Sequence, residues 1–206
     1  MQMYRREHYL AKLRPFYDDA GLIKVVTGIR RCGKSSLLCS VMDELRERGV
    51  SEGDICYINL DRREYQDVNT PEKLDAVIEH SLGKSASMRY LFIDEIQNVK
   101  GYETIVNGWR EEGDCSIFIT GSNSYLLSGE LATKLTGRYI ELEMFTLSFN
   151  EYLGMREYLG LPKKPESQVF QEYLIYGGFP KALEYEDLDA KAMYIQDVIG
   201  RFSAKT

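Results

Sequence analysis

The sequence predicts an α/β fold, in which a parallel sheet carries helices on both faces and an all-helical appendage follows. Two observations carry that prediction. Short apolar, β-rich runs alternate with amphipathic helical patterns along the first two thirds of the chain, and from about residue 146 only helical patterns remain. A chain of 206 residues, 44% hydrophobic and 28% charged, is long enough to bury such a core and has the balance of a soluble globular protein.

The elements follow in order. "LIKVVTG" (22–28) reads as a short strand. In "KSSLLCSVMDELRERG" (34–49), Leu37, Leu38, Val41, Met42 and Leu45 share one helical face, and Gly49 stops the helix. "ICYINL" (55–60) is a second strand, and 70–82 a helix with Thr70 at the N-cap and Pro71 at its first position. "RYLFIDE" (89–95) reads as a third, fully buried strand, then comes a helix over 102–113. "CSIFITGS" (115–122) and "RYIELEM" (138–144) complete five strands. Three helical stretches follow, at 147–160, 167–178 and 189–200, with the two-proline segment "LGLPKKPES" (159–167) as a loop. The expected division is a core over 1–145 and a helical region over 146–206.

Composition excludes several classes of function. A net charge of −6 disfavours bulk electrostatic binding to nucleic acid, although a local basic patch survives that average. No apolar run approaches the roughly 20 residues of a membrane helix, and "MQMYRREHYL" lacks a secretory apolar core, so no membrane partner is expected and the cytoplasm is the default. Cys32, Cys39, Cys56 and Cys115 form no CxxC pair and read as reduced core thiols. Cys32 stands apart, because it lies inside a glycine loop where oxidation could gate binding. His8 and His80 have no partners at ligand spacing, which disfavours a His/Cys metal site.

That loop is the first chemical motif. Gly28-Ile-Arg-Arg-Cys-Gly33-Lys34-Ser35 fits GxxxxGK[ST] and lies between a strand and an amphipathic helix. Glycines let the backbone turn its N–H groups onto phosphate oxygens, and the helix N-terminus adds partial positive charge. Gly28 and Arg31, Cys32, Gly33, Lys34, Ser35 and Ser36 are the expected phosphate site, with Lys34 on the β- and γ-phosphates and the Ser35 hydroxyl on Mg²⁺. The side chains of Arg30 and Arg31 point away from phosphates in such loops, leaving solvated charges, salt bridges or contacts with a partner.

A phosphate cradle alone serves kinases, GTPases and ATPases, and a second constellation discriminates. In "YLFIDEIQN" (90–98) an apolar strand ends in adjacent carboxylates, Asp94 and Glu95. The first carboxylate suits Mg²⁺, and the second can orient and deprotonate an attacking water, which is hydrolysis. No NKxD-like motif appears, which disfavours a GTPase, and few arginines follow residue 147, which disfavours a small-molecule kinase. The fourth strand ends in Thr120-Gly121-Ser122-Asn123, where a neutral donor could sense the γ-phosphate; Asn123 is the first candidate and Ser122 the second, a helix cap being the bland alternative.

Together these motifs resemble the AAA+ ATPases. The nearer likeness, over about Arg5 to Arg201, is to prokaryotic ATP-binding proteins with an AAA-type core and a C-terminal domain of unknown function. It rests on the paired arginines of "RRCGKS", a "LSFNEYL" segment at 147–153 and "GGFP" at 177–180. The resemblance implies a P-loop sandwich with sheet order 5-1-4-3-2, a helical lid, and hydrolysis of ATP with Mg²⁺, Glu95 activating water. It also implies that Arg138 matches an arginine finger, which would require a homo-oligomer. The lid's expected sensor arginine has only Lys181 at a comparable place. The chain stops at "RFSAKT" about where such proteins continue, so a further C-terminal region is expected. An ATP-dependent interaction switch with little turnover is the alternative.

Overall fold

The computed structural model describes residues 3–82, 87–121 and 137–203, with side chains to residue 200. It divides into two compact units. One contains Arg5–Gly28 and Lys34–Met144; the other contains Met1–Tyr4, Ile29–Gly33 and Phe145–Thr206.

In the larger unit, five strands form a single parallel sheet in the order β2-β3-β4-β1-β5, the expected order read from the other edge. The strands are β1 (Ile23–Gly28), β2 (Ile55–Asn59), β3 (Arg89–Asp94), β4 (Cys115–Thr120) and β5 (Tyr139–Met144). Every residue of the central strands β1, β3 and β4 is buried, which is why they read as largely apolar runs rather than as an alternation of apolar and polar residues. At the edges, β2 alternates between buried and half-buried positions, and β5 exposes Glu141 and Glu143, charges that discourage further strand pairing.

The connecting helices are α2 (Lys34–Glu47), α3 (Pro71–Ser81) and α4 (Tyr102–Glu112). Leu37, Leu38, Val41, Met42 and Leu45 of α2 are all buried, as their spacing requires. Gly49 lies just beyond the helix at φ 90°. Thr70 holds the N-cap position of α3, but its side chain makes no capping bond, so Pro71 at the first helical position carries the start signal. Trp109 Nε1 of α4 donates to Asp75 Oδ1 of α3 at 2.8 Å. One main apolar cluster joins α3 and α4 to Ile23, Val25, Ile58, Leu91, Ile93, Ile117 and Ile119 of the sheet.

A helix absent from the sequence reading, α1 (Glu7–Leu13), precedes the sheet and buries Tyr9, Leu10 and Leu13. Arg14 fastens it, donating to Glu7 Oε2 at 2.8 Å and to Glu44 of α2 at 3.0 and 2.7 Å. The Tyr17 hydroxyl donates to the same Glu44 at 3.0 Å. Opposite the main cluster, Lys24 is fully buried in β1, where its ammonium donates to the carbonyls of Asp19 and Leu22 and to Ser116 Oγ at 2.6 to 2.8 Å.

The smaller unit is helical over α5 (Phe149–Tyr158), α6 (Glu166–Tyr176) and α7 (Leu188–Ser203). Ser148 and Glu151 form a reciprocal capping box on α5. Leu147, Tyr152, Met155, Val169 and Leu183 form its core, beside a second cluster of Phe179, Ala182, Ile195 and Val198. The "GGFP" motif makes the turn that ends α6. Gly177 sits at φ 69° as α6 ends, and a Cβ on Gly178 would fall 2.2 Å from the Leu147 carbonyl oxygen. That close approach lets the Leu147 N–H donate to Gly178 O at 2.7 Å.

Candidate functional site

β1 ends at Gly28 and α2 begins at Lys34, so residues 29–33 must turn the chain between them. Positive φ marks the end of β1 and two residues of this segment: Gly28 at 148°, Arg31 at 67° and Gly33 at 108°. Glycine takes such values freely, whereas at Arg31 a left-handed backbone costs about 1–2 kcal/mol. Turns of this kind are the backbone pattern that directs successive N–H groups toward one anion. Lys34 opens α2 almost fully buried, and its ammonium folds back to donate to the Gly28 carbonyl at 3.0 Å. Ser35 is half-buried and Ser36 exposed; the Ser36 carbonyl accepts from the Ser40 hydroxyl at 2.9 Å.

Within the smaller unit, the Arg31 guanidinium lies 3.9 Å from Asp197 of α7 and 5.1 Å from the Tyr194 ring centroid. Its side chain therefore faces a salt bridge and an aromatic ring, one of the alternatives that the sequence left open. Cys32 is fully buried and forms no disulfide, which shields its thiol from oxidants.

The acidic pair stands where the strand pattern put it, with one refinement. β3 stops at Asp94, one residue earlier than expected, because Glu95 adopts φ 60° and ψ 47° and leaves the sheet. Asp94 is fully buried. Its Oδ2 accepts from the Tyr57 hydroxyl at 3.0 Å and from Asn59 Nδ2 at 3.1 Å, and its Oδ1 accepts from the Thr120 hydroxyl. Thr120 Oγ1 in turn accepts the Glu95 N–H at 3.0 Å. The half-buried Glu95 carboxylate accepts from Gln97 Nε2, while Gln97 Oε1 is buried with no hydrogen-bond partner. Burial, reinforced by the nearby Asp94 charge, pushes the Tyr57 hydroxyl above its usual pKa, so it stays a donor. Burial likewise raises the pKa of the Cys39 thiol.

Asp94 is thus a buried carboxylate held only by neutral donors, with no ion pair among the described residues. Hard oxygen donors of this kind, with the Ser35 hydroxyl as a second, fit Mg²⁺. Among the described residues no cluster of three or more His, Cys, Asp or Glu could hold a metal unaided. That is the ordinary case for Mg²⁺, which takes one or two protein ligands and completes its shell with phosphates and water.

Asn123 and Ser122 lie outside the described residues. Arg138 sits at the start of β5, where its carbonyl accepts the Ile23 N–H at 2.9 Å, and its guanidinium donates to Asn107 Oδ1 at 3.3 Å and lies 3.6 Å from Glu111. Lys181 pairs with Glu184. Sequence reasoning missed Tyr57, Asn59 and Gln97 as members of the acidic site and passed over Thr120 in favour of its neighbours. Gln97 is two residues from Glu95 and was within reach of a local reading. The β2 residues become visible only once β2 pairs with β3, Asn59 opposite Asp94.

No described helix is long and apolar enough to cross a membrane. A family model described as AAA domain matches residues 21–153. A Haemophilus influenzae protein described as uncharacterized is 41% identical over 88% of this chain and 45% of its own length. One from Methanocaldococcus jannaschii is 30% identical over 89% of this chain and 43% of its own. The chain thus spans less than half the length of these relatives. Among solved structures, Cdc6p of Pyrobaculum aerophilum aligns with TM-score 0.59 at 14% identity, over 88% of this chain and 60% of its own. Aeropyrum pernix Orc1, solved in complex with DNA, gives 0.56 at 16% identity, over 77% and 50%. The Saccharomyces cerevisiae Hsp104–ADP complex gives 0.58 at 16%, over 98% and 32%. At such identities the likeness concerns the fold.

Proposed function

The chain belongs to the AAA domain family, of the AAA+ P-loop type, and from that premise we propose that it binds ATP with Mg²⁺ and hydrolyses it to ADP and phosphate. The observation that carries this reading is the pairing of a glycine-turned loop, with Lys34 at its end, and the adjacent Asp94 and Glu95 at the end of β3. The backbone of Gly28 and of Arg31 to Ser36 cradles the phosphates, and Lys34 exchanges the Gly28 carbonyl for phosphate oxygen. Ser35 and Asp94 would hold Mg²⁺, which would supply positive charge against the phosphates. Glu95, half-buried and turned out of the sheet, takes a proton from the attacking water, and Asn123 senses the γ-phosphate. The same reading assigns 1–145 to a P-loop core and 146–206 to a helical lid, in the cytoplasm.

Arg138 acts in trans. It immediately precedes β5 while the phosphate loop follows the far end of the parallel neighbour β1, so about 20 Å of strand separates them. A guanidinium at that edge serves another copy's nucleotide, which makes a homo-oligomer the active form.

Two variants test the assignment. Lys34→Ala should lose ATP binding in a fluorescent-nucleotide titration, and Glu95→Gln should bind ATP normally yet release no phosphate. Undiminished affinity in the first, or wild-type turnover in the second, removes the corresponding role. Binding without turnover in the unmodified protein would favour the switch.

A further inference from the structure

At the end of the sheet, one hydroxyl touches both members of the acidic pair. Thr120, the last residue of β4, is fully buried. Its Oγ1 accepts the Glu95 N–H at 3.0 Å. A backbone N–H can only donate, so the single hydroxyl hydrogen is left for Asp94 Oδ1, on which it closes. Both hydrogen bonds are therefore directed, and the rotor has no alternative setting that satisfies them.

Their consequences reach two different groups. On Asp94, Thr120 holds Oδ1 while Tyr57 and Asn59 hold Oδ2, so the carboxylate plane is fixed from β4 on one side and β2 on the other. On Glu95, the same hydroxyl anchors a non-glycine residue in the left-handed region, the conformation that takes its side chain out of the strand direction. An unneeded strain at such a position would be expected to relax, and it persists where surrounding contacts over-determine it. A buried threonine at the end of a central strand would ordinarily be filler, and valine would fill the same space without these bonds.

We propose that Thr120 is the positioning residue of the hydrolytic pair, setting the Asp94 carboxylate for Mg²⁺ and the Glu95 turn for water through one hydroxyl. This rests on the hydrolytic reading above and deepens it. On this proposal Thr120 acts through its hydrogen bonds to Asp94 and Glu95 and not on nucleotide or water directly. Its removal therefore lowers turnover without weakening the phosphate cradle, which is built from the loop.

The test compares Thr120→Val, which keeps the shape and loses the hydroxyl, with Thr120→Ser, which keeps the hydroxyl. Thr120→Val should lower kcat at least about tenfold, leave the Kd for ATP within about threefold, and raise the Mg²⁺ concentration needed for half-maximal rate. Thr120→Ser should restore kcat to within a few-fold. Unchanged kcat and Mg²⁺ dependence in Thr120→Val would overturn the proposal, as would a serine variant as defective as the valine one. A second readout is independent of turnover: Mn²⁺ affinity of the complex with a non-hydrolysable ATP analogue, followed by paramagnetic relaxation, should weaken in Thr120→Val and recover in Thr120→Ser. If the wild-type protein releases no phosphate, the hydrolytic reading fails, and the Mn²⁺ series still decides whether Thr120 positions Asp94.

Discussion

Replacing Glu95 by glycine should give a more stable protein than replacing it by alanine, an inversion of the usual order. Both substitutions remove the carboxylate and its bond from Gln97, so those losses cancel in the comparison. At an ordinary position, alanine is favoured over glycine by about 0.4–1 kcal/mol, because it restricts the unfolded chain. At φ 60° and ψ 47°, however, the alanine Cβ carries a left-handed cost of about 1–2 kcal/mol that glycine escapes. The difference leaves glycine ahead by about 0.5–1 kcal/mol. In urea, with a slope of about 2 kcal/mol per molar, the midpoint should sit about 0.3–0.5 M higher for glycine. Gly108 gives the internal control of opposite sign. It lies inside α4 with nothing within 4 Å of a built Cβ, so Gly108→Ala should stabilise by about 1 kcal/mol. An alanine variant at position 95 as stable as the glycine one would refute the strained turn, and with it the directed exit of Glu95 from β3.

Further predictions concern packing, pH and assembly. Gly178→Ala drives a Cβ onto the Leu147 carbonyl and breaks the Leu147–Gly178 hydrogen bond, so the helical unit should lose about 1–3 kcal/mol, read as faster amide exchange across 149–176. In alkali, the buried thiols of Cys56 and Cys115 are pushed up to about 11 and about 12 and stay protonated in the fold while unfolded thiols ionise near 9. The folded state then binds more protons, and stability should fall above pH 9. Burial lowers Lys24 from 10.5 to about 8, which acts in the opposite direction: between those values the unfolded chain keeps a proton that the fold sheds. The alkaline fall should therefore be steeper in Lys24→Met than in the wild type, by up to about 1.4 kcal/mol per pH unit, and equal slopes would contradict a shifted lysine. Arg14 holds Glu7 and Glu44 below the usual carboxylate range, so that stabilisation is present above pH 4.5 and is lost as pH falls below it. Arg138→Ala should cut phosphate release without changing ATP affinity, and a wild-type specific activity independent of protein concentration would count against a trans role.

The parallel sheet was legible because its central strands are buried on both faces, which forces continuous apolar runs such as "YLFID" between helical patterns. The turn between β1 and α2 was legible because its signal is local, with glycines, lysine and serine at fixed spacing. What escaped is non-local or short. α1 buries only Tyr9, Leu10 and Leu13, too few positions to establish a helical period. Tyr57 and Asn59 join Asp94 only through strand pairing between residues more than thirty positions apart. The left-handed turn at Glu95 defied local propensity, which disfavours that conformation for glutamate. At the end of β4 the pattern drew attention to the amide chemistry of Asn123 and away from Thr120, because a threonine in a strand ordinarily signals only β propensity.

The central claim is that this AAA-family chain hydrolyses ATP through Glu95. Steady-state phosphate release with ATP and Mg²⁺, measured over a range of protein concentrations beside Glu95→Gln, tests it most directly. The account predicts specific activity that rises with concentration and vanishes in the variant while ATP binding persists. Phosphate release that continues undiminished in Glu95→Gln would contradict it.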